Sequence, residues 1–139
     1  MALFGVLDQR ADHADRAVAA AVELLRRLTD LNKKLAQEGQ APLDVGIGIH
    51  TGLALTGCIG ATVKLPDGRE SYRREFTAIG ETVNLAQRVE QLTKSCGGPV
   101  LISEQTRLKL QSKWQLHNRG SVPVPGYDGS LVVYQVTEK

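Results

Sequence analysis

The chain of 139 residues lacks most features that would assign it to a specialised class of protein. It has two cysteines, Cys58 and Cys96, which lie far apart and form no C-x-x-C pair. This pattern predicts reduced, intracellular thiols and argues against a disulfide framework or a zinc site. No apolar run approaches the ~20 residues of a membrane span, and the basic-then-apolar pattern of a signal peptide is missing. We therefore expect a cytoplasmic segment without membrane contact, which could be the cytosolic domain of a larger sensor protein.

The chain also lacks a strong excess of charge of either sign. Its formal net charge is +2 and its sequence pI is about 8.6. This balance is too weak to indicate nucleic acid or an anionic membrane surface as a partner. Hydrophobic residues make up 42% and charged residues 23%, which is ordinary for a globular protein. The length suffices for one domain with its own core.

The spacing of apolar residues predicts an α+β domain, a mostly antiparallel sheet with helices packed on it. The predicted elements are, in chain order, a strand ending at MALFG (1–5), a helix over 12–38, a β-hairpin over 43–60, a strand at 74–79, a helix over 81–94, a strand at 99–102, a helix over about 104–111 that Ser103 caps, and two strands joined by a turn near 125–130.

Several residues carry local predictions. Asp12 or Asp15 can cap the first long helix. Gly46 and Gly48 share one face of a strand, which predicts close approach by another backbone or helix. His50 follows at the strand end, and its position favours a hydrogen-bonded turn histidine over a ligand-binding one.

Residues 61–75 interrupt the apolar pattern with dense charge. Pro66-Asp67-Gly68 is a strong turn signal inside this segment. The segment is either a solvated loop or a projecting arm that touches a partner.

The sequence FTAIGETVNLAQR (76–88) joins a strand to a helix at Gly80. On that helix Asn84 and Arg88 lie four residues apart, on one side. Asparagine is a mediocre helix former, so its presence suggests more than a solvated surface. An amide can hydrogen-bond a sugar, and a guanidinium can bind phosphate oxygens. The helix face therefore meets either water or a ligand with both groups.

Three motifs, GIGIHTG (46–52), TAIGETVNLAQRVE (77–90) and LISE (101–104), make the chain resemble the class III nucleotidyl cyclases. The resemblance spans essentially the whole chain and corresponds to the C-terminal two-thirds of an adenylate or guanylate cyclase catalytic domain. It implies a ferredoxin-like, cyclase-type antiparallel sheet that lacks its N-terminal strand and helices. Residues 1–139 would form a single truncated domain, with 61–75 as its dimerisation arm.

The resemblance also implies roles for three residues. Thr77 corresponds to the residue that selects the purine, Asn84 to the residue that orients the ribose, and Arg88 to the residue that stabilises charge on the α-phosphate. The implied reaction converts ATP to cyclic AMP and pyrophosphate in a homodimer or a paired cyclase domain. Thr77 disfavours the guanylate alternative.

The chain departs from the family pattern first at the metal site. Family members bind two Mg²⁺ (or Mn²⁺) ions with two aspartates that correspond to positions before residue 1. We therefore expect the metal ligands to be absent from this chain. Asp8, Asp12 and Asp15 lie nearby in sequence, but for Asp12 and Asp15 helix capping is the favoured interpretation.

A second departure is Pro125, which stands where the family usually has a phosphate-contacting lysine. Proline has neither charge nor N–H. Lys113 and Arg119 are close in sequence, but the sequence does not show that either one substitutes.

Two functions remain open from the sequence. The chain is either part of an adenylate cyclase, itself inactive as a fragment, or a degenerate cyclase-homology domain that acts as a dimerisation or nucleotide-binding module. Missing upstream strands should also leave an open sheet edge.

Overall fold

A computed structural model describes residues 1–8, 10–123 and 129–138, with the backbone alone for Arg73 and Glu138. No helix in these ranges is both long and apolar enough to cross a membrane. The elements are, in chain order, α1 (His13–Gln37), β1 (Ile47–Ile49), β2 (Leu55–Lys64), β3 (Glu70–Ile79), α2 (Glu81–Cys96), β4 (Val100–Ser103), α3 (Glu104–Arg107), β5 (Gln115–Pro123) and β6 (Ser130–Glu138).

The main sheet has four strands in the order β1-β4-β6-β5. The pairs β4–β6 and β5–β6 are antiparallel, and β1 runs parallel to β4. The predicted α+β fold with a mostly antiparallel sheet is therefore confirmed. Strand β1 lies at the edge of this sheet within the described chain.

The main sheet is covered by one helix on each face. Side chains that alternate along β4 separate these two cores. On the first face, α1 packs against the sheet through a cluster formed by Val18, Ala21, Val100, Ile102 and Val136. On the second face, α2 packs through Leu85, Val89, Leu101, Leu131 and Val133.

Gly48 of β1 and Gly46, just before it, allow α2 to lie directly on the strand. A Cβ added at Gly48 would stand 2.1 Å from the Glu90 nitrogen and 2.6 Å from the Ala86 oxygen, both backbone atoms of α2. A Cβ at Gly46 would stand 2.2 Å from the Thr93 hydroxyl oxygen. The predicted close approach of a helix is confirmed.

The predicted hairpin over 43–60 is wrong. Strand β1 pairs with β4, in the register Ile47↔Val100, whereas β2 pairs with β3 in a separate two-stranded sheet. Ile47 and Ile49 pack against the α1 core, which requires their strand to join the main sheet. The residues between β1 and β2 carry the chain from one sheet to the other.

Residues 61–75 belong to an antiparallel ribbon rather than a loop. Its strands β2 and β3 have ten residues each, and the predicted turn at Pro66-Asp67-Gly68 closes it. Gly68 has a positive φ of 82°, and its N–H donates to the Leu65 carbonyl at 2.9 Å. The contact of this arm with a partner stays a prediction.

The N-terminal strand and the full length of α3 are also wrong predictions. Residues 1–4 have no regular structure, because no strand of the described chain pairs with them. Helix α3 ends at Arg107 instead of near 111. The N–H groups of Gln111 and Ser112 donate to the Asp15 carboxylate at 2.8 and 3.0 Å, which leads the chain away from helical geometry. Strands β5 and β6 are confirmed, and residues 124–128 of their connection lie outside the described residues.

The capping role expected of Asp12 or Asp15 is wrong as well. Asp12 occupies the N-cap position of α1 but makes no side-chain cap hydrogen bond. Its carboxylate accepts hydrogen bonds from the Arg10 guanidinium at 3.0 and 3.1 Å. The Asp15 carboxylate accepts a third bond from the Trp114 indole at 2.9 Å, so it connects α1 to the segment before β5.

Asp15 is buried, with 9% of its surface exposed. Burial alone would raise the pKa of its carboxyl group. The hydrogen bonds from Gln111, Trp114 and Ser112 favour the ionised form more strongly, and the pKa is lowered from its ordinary value.

Replacing Asp15 by asparagine should lower the free energy of unfolding by about 1–3 kcal/mol, because at least one buried N–H donor loses its acceptor. Because the native pKa lies below the unfolded one, the ionic stabilisation is present above about pH 4 and lost as the pH falls through the native pKa. Urea unfolding at neutral and acidic pH measures this. Asp30→Asn, which removes an exposed carboxylate of α1, is the control. Equal stability of wild type and D15N at pH 7 would contradict the assignment.

Gly48→Ala should destabilise the fold by about 3 kcal/mol, since the added methyl group overlaps backbone atoms of α2 that cannot move independently. Gly57→Ala is the matched control, because a Cβ there meets nothing within 4 Å. Thermal or urea unfolding compares the two variants. Similar stabilities would show that α2 does not lie on β1 as described.

Candidate active site

Strand β3 leads into helix α2 through Gly80. This residue has φ = 135°, a conformation that side-chain-bearing residues rarely adopt. The N–H groups of Val83 and Asn84 donate to its carbonyl at 3.1 and 3.3 Å. The end of β3 and the first turn of α2 are therefore held together by a short connection.

Thr77 lies near the end of β3, opposite Gly57 of β2, and is half-buried. No atom lies within 4 Å of a Cβ added at Gly57. A side chain at Gly57 would therefore enter open space. At ~3.3 Å per residue, Thr77 lies about 10 Å along the chain from Gly80.

Asn84 and Arg88 lie on one side of α2, each about 100° around the helix axis from the buried residue that follows it, Leu85 or Val89. Asn84 is exposed and Arg88 is half-buried. They are separated by one helical turn, about 6 Å along the axis. The structure thus places the two residues on one helix side and connects them through Gly80 to the strand that carries Thr77.

His50 directly follows β1 and makes the hydrogen bond that the sequence favoured. Its Nδ1 lies 2.9 Å from the hydroxyl oxygen of Ser103, the last residue of β4. Burial lowers the pKa of the imidazole, and nearby Glu81 opposes this only partly. His50 is therefore neutral at pH 7.

The sequence did not reveal a group of three hydroxyls next to His50, which we call the hydroxyl cluster (Thr51, Ser103 and Thr106). Thr106 lies 3.0 Å from Thr51 and 3.2 Å from Ser103 between hydroxyl oxygens, and it donates to the Ile49 carbonyl. The predicted cap is confirmed, since the Thr106 N–H donates to the Ser103 hydroxyl at 3.3 Å. Only the Ser103 cap could be predicted from neighbouring residues. The contacts of Thr106 with Thr51 and Ile49 join segments that are distant in sequence.

The carboxylates near the start of α1 do not fit a divalent metal site. Magnesium and manganese prefer carboxylate oxygens that are free to coordinate. Asp8 lies 3.8 Å from the Arg10 guanidinium, and Asp12 and Asp15 accept the hydrogen bonds given above. The described parts of the chain contain no group of three or more His, Cys, Asp or Glu side chains that could hold a metal ion.

The position of the family's lysine, Pro125, lies outside the described residues. The Arg119 guanidinium donates to the Gly97 carbonyl at 3.1 Å and to the Gln135 amide oxygen. It therefore ties β5 to the C-terminal end of α2. Lys113 is exposed in the segment between α3 and β5.

Comparisons with known proteins agree with this architecture. The model of the "Adenylate and Guanylate cyclase catalytic domain" family matches residues 1–138. An adenylate cyclase of Anabaena cylindrica is 31% identical over 131 residues, covering 89% of this chain and 24% of that protein.

Solved structures of both kinds of cyclase share the fold. The guanylyl cyclase Cya2 superposes with a TM-score of 0.81 at 31% identity, covering 96% of this chain and 62% of that one. The adenylyl cyclase CyaB from P. aeruginosa gives 0.77 at 28% identity, covering 94% and 62%. The chain spans less than two-thirds of each of these proteins. The family match over nearly all residues, together with this fold, shows that the chain belongs to the class III adenylate and guanylate cyclase catalytic domain family.

Proposed function

We propose that this chain supplies part of the active site of an adenylate cyclase, which converts ATP to cyclic AMP and pyrophosphate in cyclic-nucleotide signalling. One observation carries the proposal. In a domain of the cyclase family, Asn84 and Arg88 share one side of α2, and Gly80 joins that helix to the strand bearing Thr77.

Each of the three residues has a chemical task in the proposed reaction. The Asn84 amide hydrogen-bonds the ribose and holds its 3′-hydroxyl in line with the α-phosphate. The new O3′–P bond forms as the bond from the α-phosphorus to the leaving pyrophosphate breaks, and the hydroxyl proton is released. Such positioning lowers a barrier by several kcal/mol. The Arg88 guanidinium stabilises the charge that grows on the α-phosphate oxygens.

The choice of ATP over GTP depends on Thr77. Its hydroxyl can hydrogen-bond the adenine edge, and Gly57, which pairs with Thr77, has no side chain to fill the space beside it. Relatives of both specificities share this fold. The proposal of ATP is therefore carried by this one side chain.

A second subunit, or a paired cyclase domain, would complete the site. One face of the ribbon exposes four large apolar side chains. Three lie on the same side of β2, and the fourth lies on β3 opposite the first: Leu55, Ile59, Val63 and Ile79. Exposed apolar surface of this kind favours a protein partner. Asn84 is exposed in the single chain, so a neighbour is needed to enclose the nucleotide and exclude water.

The reaction in this family requires Mg²⁺ or Mn²⁺, for which the carboxylates described above do not fit. We propose that aspartates outside residues 1–139 hold these ions. The cytoplasmic location also stays a prediction.

A second candidate function is a regulatory module that dimerises and binds nucleotide without turnover. The engagement of Asp8, Asp12 and Asp15 with other groups of the same chain favours it for residues 1–139 alone. The two candidates differ in whether the protein encoded by the complete gene releases cyclic AMP.

The purified 139-residue chain should produce no cyclic AMP from ATP in the presence of Mg²⁺ or Mn²⁺, because its described residues include no group of carboxylates that fits these ions. Product formation is measured by chromatography, with a known cyclase as positive control. Clear metal-dependent turnover by the chain alone would refute this prediction.

In the protein encoded by the complete gene, Asn84→Ala and Arg88→Ala should each reduce kcat by about 10²–10³, the usual effect of removing one transition-state donor. The KM for ATP should change less, because both contacts strengthen in the transition state. Steady-state assays with ATP and with GTP measure both constants.

Gln87→Ala is the control, since Gln87 is exposed on the same helix and has no assigned role. If N84A and R88A both keep the wild-type kcat, the roles given to these residues are wrong. A wild type that prefers GTP would correct the substrate and leave the roles intact.

A further inference from the structure

His50 directly follows β1 in the main sheet, and the charge of Glu81, the first residue of α2, acts on its imidazole. Gly46, Gly48 and His50 alternate along the segment that contains β1, and the two glycines face α2. The two glycines let the middle and end of α2 touch the strand, near Ala86, Glu90 and Thr93. His50 is the first residue of this row with a side chain, and it lies toward the beginning of the helix.

The surroundings of Gly52 show what lies near the Nε2 side of the His50 imidazole. A Cβ added at Gly52 would lie 2.6 Å from the Thr82 hydroxyl oxygen and 3.5 Å from the His50 Nε2 atom. The Thr82 hydroxyl in turn donates to the Leu53 carbonyl. The imidazole and the Thr82 side chain in the first turn of α2 therefore both lie beside Gly52, in the loop after β1.

The near side of the imidazole is held by the hydroxyl cluster. Nδ1 bonds Ser103, and both Ser103 and Thr106 are fully buried, with 0% exposure. Thr106 connects this cluster to the backbone of β1 and to Thr51. A side chain held in this way has little freedom to move, because a shift would leave buried hydroxyls without partners.

We propose that His50 is a positioning residue for the cyclase reaction, which holds the first turn of α2 at a fixed height above the sheet and thereby places Asn84 against the ribose. The inference rests on the proposed function of Asn84. His50 does not touch substrate in this account. It acts through Thr82 and the helix backbone, two residues before Asn84.

A small displacement of Asn84 should change the reaction rate by a measurable factor. A misplacement of about 1 Å at a positioning group can cost about 10²-fold in rate. Loss of the imidazole would let the first turn of α2 settle toward β1, as the rest of the helix already does over Gly48. Binding of the phosphates and purine, which depends on other residues, would change little.

The test uses the protein encoded by the complete gene, assayed well below the melting temperature of each variant. His50→Ala should reduce kcat at least tenfold while the KM for ATP stays within about threefold. Ser103→Ala removes the hydroxyl that bonds the His50 Nδ1 atom and leaves α2 unchanged. This variant should also reduce kcat. His50→Asn keeps a group that can bond Ser103 but withdraws the ring from the helix, and it decides the question if H50A does not fold.

Asp15→Asn is the control for destabilisation, because it acts through the segment before β5 and should keep kcat within about threefold. Amide chemical shifts of Thr82–Asn84 should move in H50A and H50N and stay in place in D15N. Unchanged kcat in H50A, or in H50N when H50A does not fold, overturns the inference. A wild type without cyclase activity overturns the proposed function, and the positioning role with it.

Discussion

Direct contact between helix α2 and the backbone of β1 is the constraint on which the proposed site depends. It exists because Gly48 has no side chain, so that backbone atoms of Ala86 and Glu90 occupy the space where its Cβ would stand, and because Gly46 leaves room for the Thr93 side chain. The contact fixes the height of the helix over the sheet. The junction at Gly80 then fixes its position relative to β3, and so relates Asn84 and Arg88 to Thr77.

The two faces of the main sheet have different tasks. The α1 face is apolar and is closed by Asp15, a buried carboxylate held by three N–H donors. The α2 face combines an apolar core with the hydroxyl cluster and His50 at the ends of β1 and β4. Polar groups that bond one another in a buried place favour a single arrangement, and in the proposed function a single arrangement is what α2 must have.

Local patterns in the sequence predicted the features that depend on neighbouring residues. The apolar repeat of α1, the strand-to-helix junction at Gly80 and the turn at Pro66-Asp67-Gly68 are of this kind. The pairing partner of β1 was predicted wrongly, because a strand next in sequence is not always next in space and nothing between Ile49 and Leu55 encodes the change of sheet. The role of Asp15 was also missed, since its partners lie about a hundred residues away and a helix start suggests capping first.

The central claim is that Asn84 and Arg88 face a nucleotide shared with a second subunit. A crystal structure of the protein encoded by the complete gene, with a non-reactive ATP analogue, tests it most directly. We expect the Arg88 guanidinium within hydrogen-bond distance of the α-phosphate and the Asn84 amide against the ribose, with another cyclase domain closing the site. A bound nucleotide that touches neither residue would contradict it.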